Sequence, residues 1–180
     1  MHVVIAHGAS GRAASMQPHV DGLRRRGVSA AAIDLPLRRA EAAVAAYRAA
    51  TAAAHDGPTS QLVISGQSYG GRVASLLAAG DADACAGLIC FSYPLHRPGL
   101  PEWQARTAHW PDIAVPVLLL SGEADPFARL DLLQRARAER LPAARLVTYA
   151  GIGHSLRPVL EDALDEVAIF VRGLAIAAEV

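Results

Sequence analysis

The stretch of sequence that decides the fold reads Gly66-Gln67-Ser68-Tyr69-Gly70-Gly71. Three apolar residues at 62–64 precede it, and Ala-rich sequence follows it as far as Ala79. This order predicts a strand, a sharp turn and a helix, with Ser68 at the turn. The turn must be strained to expose the Ser68 hydroxyl, and the flanking glycines remove side chains that would clash there. A serine in this setting is typical of a catalytic nucleophile.

Two further residues lie where an activated serine needs partners. Asp125 follows the apolar run at 115–120, and His154 follows the last predicted strand. We expect His154 to accept the Ser68 proton, and Asp125 to hold the imidazole tautomer and stabilise the imidazolium. Asp125 alone could be a helix N-cap before Pro126, and His154 alone could be a loop residue. The coincidence of all three residues favours a catalytic triad.

Two other acidic residues remain alternatives to Asp125. Asp34 ends an earlier strand, and Glu123 lies close to Asp125 in the chain. His7 ends the first predicted strand and is expected to support the loop that follows it. The other histidines are interpreted as surface or packing residues: His2, His19, His55 and His109.

Acyl transfer also needs donors for the oxyanion. We expect one to be the backbone N–H of Tyr69, which follows the nucleophile, and the other to be the backbone N–H of Ala9 in the loop at 7–11. The same loop, Gly8-Ala9-Ser10-Gly11, also resembles the phosphate-binding turn of extended short-chain dehydrogenases. Against a nicotinamide-dependent enzyme, Ala14 stands in place of the third glycine. The chain also has no lysine for the Tyr-x-x-x-Lys pair of those enzymes.

Short apolar runs alternate with helix-favouring segments along the whole chain. Continuous apolar strands are typical of a parallel sheet covered by helices on both faces, so the order predicts an α/β domain. The six predicted strands are 3–6, 29–33, 62–65, 87–91, 115–120 and 146–149. The predicted helices are 38–54, 71–79, 127–140 and 156–178, and 92–112 is predicted to be a long functional loop.

Composition limits the classes of protein that remain. The chain has 180 residues, 52% of them hydrophobic and 19% charged, with 17 basic and 17 acidic side chains and a formal net charge of 0. These values predict a single domain over 1–180 that binds neither nucleic acid nor membrane. The start of the chain shows no signal peptide, so we expect a cytoplasmic protein. Cys85 and Cys90 are interpreted as small buried hydrophobic residues.

The chain order Ser, Asp, His is that of the α/β-hydrolases, and the sequence resembles that superfamily. More narrowly, it is similar to the small dienelactone-hydrolase-like group that includes the testis-expressed 30 protein and the hydrolase-like domain of NSL complex subunit 3. That similarity lies in the motifs at 66–75, 92–99 and 121–127. It implies a three-layer sandwich with a six-stranded, mainly parallel sheet and no cap domain. It also implies that Tyr93, Pro94 and His96 shape the substrate pocket.

The function predicted from these residues is a serine hydrolase of the carboxylesterase or thioesterase class. It would cleave small ester or thioester substrates through an acyl-Ser68 intermediate, with no metal and no organic cofactor. A non-catalytic binding or scaffold protein with the same fold is the alternative. The sequence leaves open the acyl and leaving groups, lactonase or small-peptide amidase activity, and assembly into a homo-oligomer.

Overall fold

A computed structural model describes residues 1–177, and it forms one sheet with helices on both faces. Six strands lie in this part of the chain: β1 His2–Ala6, β2 Ser29–Ile33, β3 Leu62–Gln67, β4 Gly87–Phe91, β5 Val117–Gly122 and β6 Arg145–Tyr149. Its five α-helices are α1 Gln17–Arg25, α2 Ala40–Ala54, α3 Tyr69–Gly80, α4 Leu130–Arg140 and α5 Leu160–Ala177. Short 3₁₀ turns span Ala13–Met16, Thr59–Gln61, Gln104–Arg106, Trp110–Asp112 and Arg157–Val159.

The sheet has the strand order β2-β1-β3-β4-β5-β6, and every neighbouring pair is parallel. The predicted three-layer α/β sandwich is therefore confirmed, with a wholly parallel sheet. The central position of β3 brings the loops after β1 and β4 to either side of Ser68, because parallel strands end at the same edge of a sheet. Among residues 1–177, every helix is too short or too polar to span a lipid bilayer.

Both faces of the sheet are buried, as the continuous apolar strands predict. In β1, Val4 and Ala6 belong to the core on the face covered by α2, α3 and α4, whereas Val3 and Ile5 belong to the core under α1 and α5. Successive side chains of a strand point to opposite faces, so a strand between two helical layers must be apolar throughout.

Helix α1 was not predicted from the sequence. Pro18 and Gly22 lie within it, and both residues have low helix propensity. The structure explains Gly22, because a Cβ at this position would overlap the side chain of Leu164 in α5. Close packing against α5 therefore stabilises α1 despite the low helix propensity of Pro18 and Gly22.

Several predicted helix boundaries differ from the observed ones. The last predicted helix began at Leu156, but a 3₁₀ turn containing Pro158 precedes α5. Its predicted end, Ala178, lies outside the described residues. The helix predicted from Phe127 begins only at Leu130, because Asp125 Oδ1 accepts a hydrogen bond from the Phe127 N–H at 2.8 Å and closes a turn first.

The long segment at 92–112 packs against α3. The Ser75 hydroxyl donates its one proton to the Arg72 carbonyl at 2.8 Å. The Ser75 oxygen also lies 2.8 Å from His109 Nε2, so in this second hydrogen bond the imidazole N–H is the donor. Arg72 Nη1 donates to the Arg106 carbonyl at 2.9 Å. Desolvation by burial, followed by the charge of Arg72, lowers the pKa of His109 to about 4.

The glycines beside Ser68 make a first test of the fold. A Cβ at Gly66 would overlap the backbone of Gly70 and Gly71, whereas a Cβ at Gly80, at the end of α3, meets no atom within 4 Å. We expect Gly66→Ala to lower the free energy of unfolding by about 2 kcal/mol or more. Gly80→Ala should leave it unchanged or raise it by about 0.5 kcal/mol. Urea denaturation measures both, and equal stability of the two variants would contradict the predicted close packing.

The lowered pKa of His109 predicts a dependence of stability on pH. An unfolded histidine titrates near its ordinary pKa of 6.5 and the folded one near 4, so between these values the unfolded chain binds more protons. The free energy of unfolding should therefore fall as pH drops through this window. In His109→Gln the amide keeps the bond to Ser75 without titrating, so the fall should be shallower. Urea denaturation at several pH values measures it, and an unchanged slope would refute the assignment.

Candidate active site

Ser68 occupies the turn between β3 and α3 in a conformation that L-residues rarely adopt. Its φ is 49° and its ψ is −110°. The backbone on both sides holds it there: its N–H donates to the Phe91 carbonyl at 2.8 Å, and its carbonyl accepts from the Arg72 N–H at 3.0 Å. Gly70 is needed for this geometry, because a Cβ there would lie 2.6 Å from the Ala6 carbonyl oxygen.

The three residues that the sequence singled out lie in one hydrogen-bonded row. His154 Nε2 lies 2.9 Å from Ser68 Oγ, and His154 Nδ1 lies 2.8 Å from Asp125 Oδ2. A carboxylate only accepts hydrogen bonds, so the imidazole proton belongs on Nδ1 and the Nε2 lone pair faces the Ser68 hydroxyl. This arrangement can take a proton from the serine.

The environment of Asp125 keeps its carboxylate in place. Its side chain is fully enclosed, while that of His154 is 25% exposed. Oδ1 accepts the Phe127 N–H, which leaves Oδ2 for the imidazole. The Phe127 ring packs against the His154 ring with 4.5 Å between the ring centroids. The acid, the turn after it and the imidazole therefore support one another.

The alternative acids lie elsewhere. Asp34 Oδ1 accepts a hydrogen bond from the Ala13 N–H at 2.8 Å and lies 3.6 Å from His7 Nε2. Glu123 accepts from the Thr148 hydroxyl at 2.9 Å. Neither carboxylate contacts His154 in residues 1–177, so the geometry favours Asp125 over both.

The loop after β1 is held by the buried side chain of His7. Its Nδ1 lies 2.7 Å from the Gly8 carbonyl oxygen, and its Nε2 accepts the Leu35 N–H at 3.0 Å. These contacts place the proton on Nδ1 and tie the loop to the segment after β2. His7 therefore supports the loop that carries Ala9, as the sequence suggested.

The backbone N–H groups of Ala9 and Tyr69 make no hydrogen bond to any residue at 1–177. Tyr69 is the first residue of α3, where a helix leaves its N–H groups without internal acceptors. Ala9 lies in the wall of the cavity that contains Ser68. Both groups are thus available as donors at the end of the sheet where Ser68 lies.

Ser68 and His154 open into a cavity of about 1230 Å³. Its lining includes the loop after β1 and the start of α1, and also the turn after His154 and the start of α5. Its apolar surface includes Met16, Phe91, Leu156, Val159 and Leu160. A substrate with an apolar chain fits such a wall.

The structure places Tyr93, Pro94 and His96 outside the lining of this cavity, contrary to the expectation that they shape the pocket. All three are buried. The Tyr93 hydroxyl donates to the Arg106 carbonyl at 2.6 Å, and the Pro94 carbonyl accepts from Arg106 Nη1 at 2.7 Å. His96 Nε2 accepts the Arg129 N–H at 3.1 Å. After Ser92, the segment that carries these residues packs into the core on the α3 side of the sheet.

Sequence reasoning missed most of the cavity wall, including two polar residues beside the nucleophile. His19, interpreted from the sequence as a surface or packing residue, lies in the lining. Ser92 also lies there, with a φ of 51° and a buried hydroxyl that has no partner in the described part of the chain. No sequence signal marked His19, because the helix that carries it was not predicted. Ser92 was noted as the first residue of the motif at 92–99 and of the long loop, without a role in the pocket.

The cysteines and the candidate metal ligands are the other reactive groups of the described chain. Residues 1–177 contain no cluster of three or more His, Cys, Asp or Glu side chains that could hold a metal ion. Cys85 and Cys90 are buried and free, and desolvation raises their pKa values to about 11 and about 12. Both cysteines therefore remain thiols at neutral pH.

Comparisons with known proteins concern the family and the fold of the chain. A family model described as "Alpha/beta hydrolase domain" matches residues 1–171, and no curated protein matches the chain. Among solved structures, the monoacylglycerol lipase of Paleococcus ferrophilus superposes with a TM-score of 0.80 at 14% identity. The match covers 96% of this chain and 94% of the lipase.

Two further solved structures are similar. The Pyrobaculum calidifontis esterase superposes with a TM-score of 0.74 at 17% identity, over 97% of this chain and 76% of its own. The thioesterase domain from the curacin biosynthetic pathway gives a TM-score of 0.73 at 16% identity, over 94% of this chain and 90% of its own. At these identities the similarity concerns the fold.

Proposed function

Because the chain belongs to the alpha/beta hydrolase domain family, we propose that it is a serine hydrolase that cleaves carboxylic esters or thioesters of small substrates. The observation that carries the proposal is the position of His154 between Ser68 Oγ at 2.9 Å and Asp125 Oδ2 at 2.8 Å. A neutral imidazole in this position activates a serine, which is otherwise a weak nucleophile.

The reaction proceeds in two halves on the same groups. Ser68 Oγ attacks the substrate carbonyl carbon while His154 Nε2 takes its proton, and a tetrahedral oxyanion forms. His154 then returns the proton to the leaving alcohol or thiol, and the acyl group stays on Ser68. Water attacks the acyl-enzyme with His154 again as general base, which releases the acid and restores the serine. Asp125 remains ionised throughout and stabilises the imidazolium.

We assign the oxyanion donors to the backbone N–H groups of Ala9 and Tyr69. Both donors lack protein acceptors in residues 1–177, and Tyr69 adds the positive end of the α3 dipole. His7 supports the placement of Ala9 by binding the Gly8 carbonyl. Donors held by the backbone need no rearrangement when the oxyanion forms, which is the basis of their effect on rate.

The substrate class rests on the cavity and on the relatives. The cavity beside Ser68 includes the apolar side chains of Met16, Phe91 and Leu156, which suit esters and thioesters with a hydrocarbon part. The solved structures of similar fold include proteins described as a lipase, an esterase and a thioesterase. We also propose that residues 1–180 form one domain of the small dienelactone-hydrolase-like group. The motif Ser92-Tyr93-Pro94-Leu95-His96 supports this placement.

A fluorophosphonate probe tests the nucleophile directly, because it reacts with an activated serine. Intact-mass analysis of the wild-type protein should show one adduct, and Ser68→Ala should show none. Ser10→Ala is the matched control, since Ser10 lines the same cavity and has no bond to His154 among the described residues. It should be labelled like the wild type. Absence of an adduct on a folded wild-type protein would refute the proposal and favour the non-catalytic alternative.

Replacement of the acid tests the role of Asp125. Asp125→Asn keeps an oxygen for the Phe127 N–H but loses the charge that stabilises the imidazolium, so kcat should fall roughly a thousandfold or more. Glu123→Gln is the control: its amide oxygen can still accept from Thr148, and kcat should stay within about twofold. Hydrolysis of nitrophenyl esters measures both variants. Similar losses in the two variants would exclude Asp125 as the specific partner of His154.

A further inference from the structure

His19, in the first turn of α1, belongs to the wall of the cavity that contains Ser68. Its ring packs edge-on against Phe91, with the centroids 5.1 Å apart and an interplanar angle of 86°. The Phe91 carbonyl is the acceptor for the Ser68 N–H. The His19 ring is therefore held against the residue that anchors the nucleophile, and it is not required by the reaction described above.

The two nitrogens of His19 differ in their surroundings. Nδ1 is enclosed and has no hydrogen-bond partner in the described part of the chain. Desolvation by burial lowers the pKa of the ring to about 4, so it is uncharged at neutral pH and carries one proton. Among buried backbone groups, an N–H without an acceptor is rarer than a carbonyl without a donor, and we apply the same preference to the imidazole nitrogens. This difference favours the tautomer with its proton on Nε2.

The Nε2–H is then a donor that residues 1–177 leave unused. Because Nδ1 is the enclosed nitrogen, Nε2 is the atom that the ring can present to a molecule in the cavity. A bound substrate without an acceptor here would exclude water from the Nε2–H and leave it without a hydrogen bond, which costs binding free energy. A substrate that offered one would gain affinity over its hydrocarbon analogue.

We propose that His19 is a specificity-determining residue whose Nε2–H binds a neutral oxygen acceptor of the substrate, such as an ether or ketone oxygen, away from the scissile bond. The proposal rests on the serine hydrolase function argued above. It defines the substrate as an ester or thioester with an apolar chain that carries one oxygen acceptor.

A neutral acceptor fits this part of the cavity better than an anion. The ring of His19 is uncharged, and the first turn of α1 contains no basic residue. The charged residues of the cavity lining are Arg157, Glu161 and Asp162, and Glu161 is already paired with Arg25 and Arg26. The uncharged ring of His19 offers a carboxylate no ion pair, whereas a neutral acceptor can take its hydrogen bond without the cost of desolvating a charge.

Two substitutions at His19 separate the donor from the shape of the ring. His19→Phe keeps an aromatic ring against Phe91 and removes the Nε2–H. His19→Gln replaces the ring but places an amide N–H close to the position of Nε2. Thermal denaturation verifies that each variant is folded. If the phenylalanine variant is unstable, the wild type and His19→Gln still supply the comparison.

The probes are matched ester pairs in which an ether oxygen replaces one chain methylene. One arm places the oxygen along the acyl chain of nitrophenyl hexanoate, and the other along the alcohol chain of hexyl butanoate, because the acceptor could lie on either side of the scissile bond. The readout is the ratio of kcat/KM for the ether to that for the hydrocarbon. Alkaline hydrolysis without enzyme gives the intrinsic ratio for each pair.

We expect the wild type to exceed the intrinsic ratio by roughly threefold to tenfold in one arm, the gain of one hydrogen bond. His19→Gln should keep most of this preference, and His19→Phe should fall to the intrinsic ratio. A wild-type ratio equal to the intrinsic one at every oxygen position in both arms would overturn the role of His19. So would a preference that survives in His19→Phe. Failure to hydrolyse any ester, or to form the fluorophosphonate adduct, would instead refute the hydrolase function.

Discussion

Backbone packs directly against backbone on both sides of Ser68, and this contact holds the serine in a conformation that an L-residue rarely adopts. Gly66 lies against the backbone of Gly70 and Gly71, and Gly70 lies against the carbonyls at the end of β1. The strain at a φ of 49° persists because the surrounding strands and α3 determine the path of the chain. The Ser68 hydroxyl therefore points beyond the edge of the sheet, where His154 contacts it.

The same edge brings together groups that are distant in the sequence. Asp125 follows β5 and His154 follows β6, and both are at the carboxyl ends of parallel strands, where such folds collect their ligands. Burial of Asp125 removes water as a competing donor, so its carboxylate is left with the Phe127 N–H and the imidazole. The fold therefore creates the site by bringing the loops after β3, β5 and β6 together at one edge of the sheet.

The sequence predicted the parts of this architecture that depend on local pattern. Apolar runs predicted all six strands. Glycine spacing and chain order singled out Ser68, Asp125 and His154, and the structure brings these three residues together. The sequence did not predict α1, because Pro18 and Gly22 have low helix propensity. Pro18 lies at the start of the helix, and Gly22 allows close packing against Leu164. It also placed Tyr93 and His96 in the pocket and left His19 out. The side chains that line a cavity depend on how elements distant in the sequence pack together, and a local sequence pattern does not predict such packing.

A crystal structure of the protein after reaction with a fluorophosphonate would show the nucleophile and the oxyanion donors together. We expect phosphorus bonded to Ser68 Oγ, a positive φ at Ser68, and the phosphoryl oxygen within hydrogen-bond distance of the Ala9 and Tyr69 N–H groups. His154 Nε2 should remain next to the ester oxygen. An adduct on another residue, or a phosphoryl oxygen turned away from both N–H groups, would contradict this expectation.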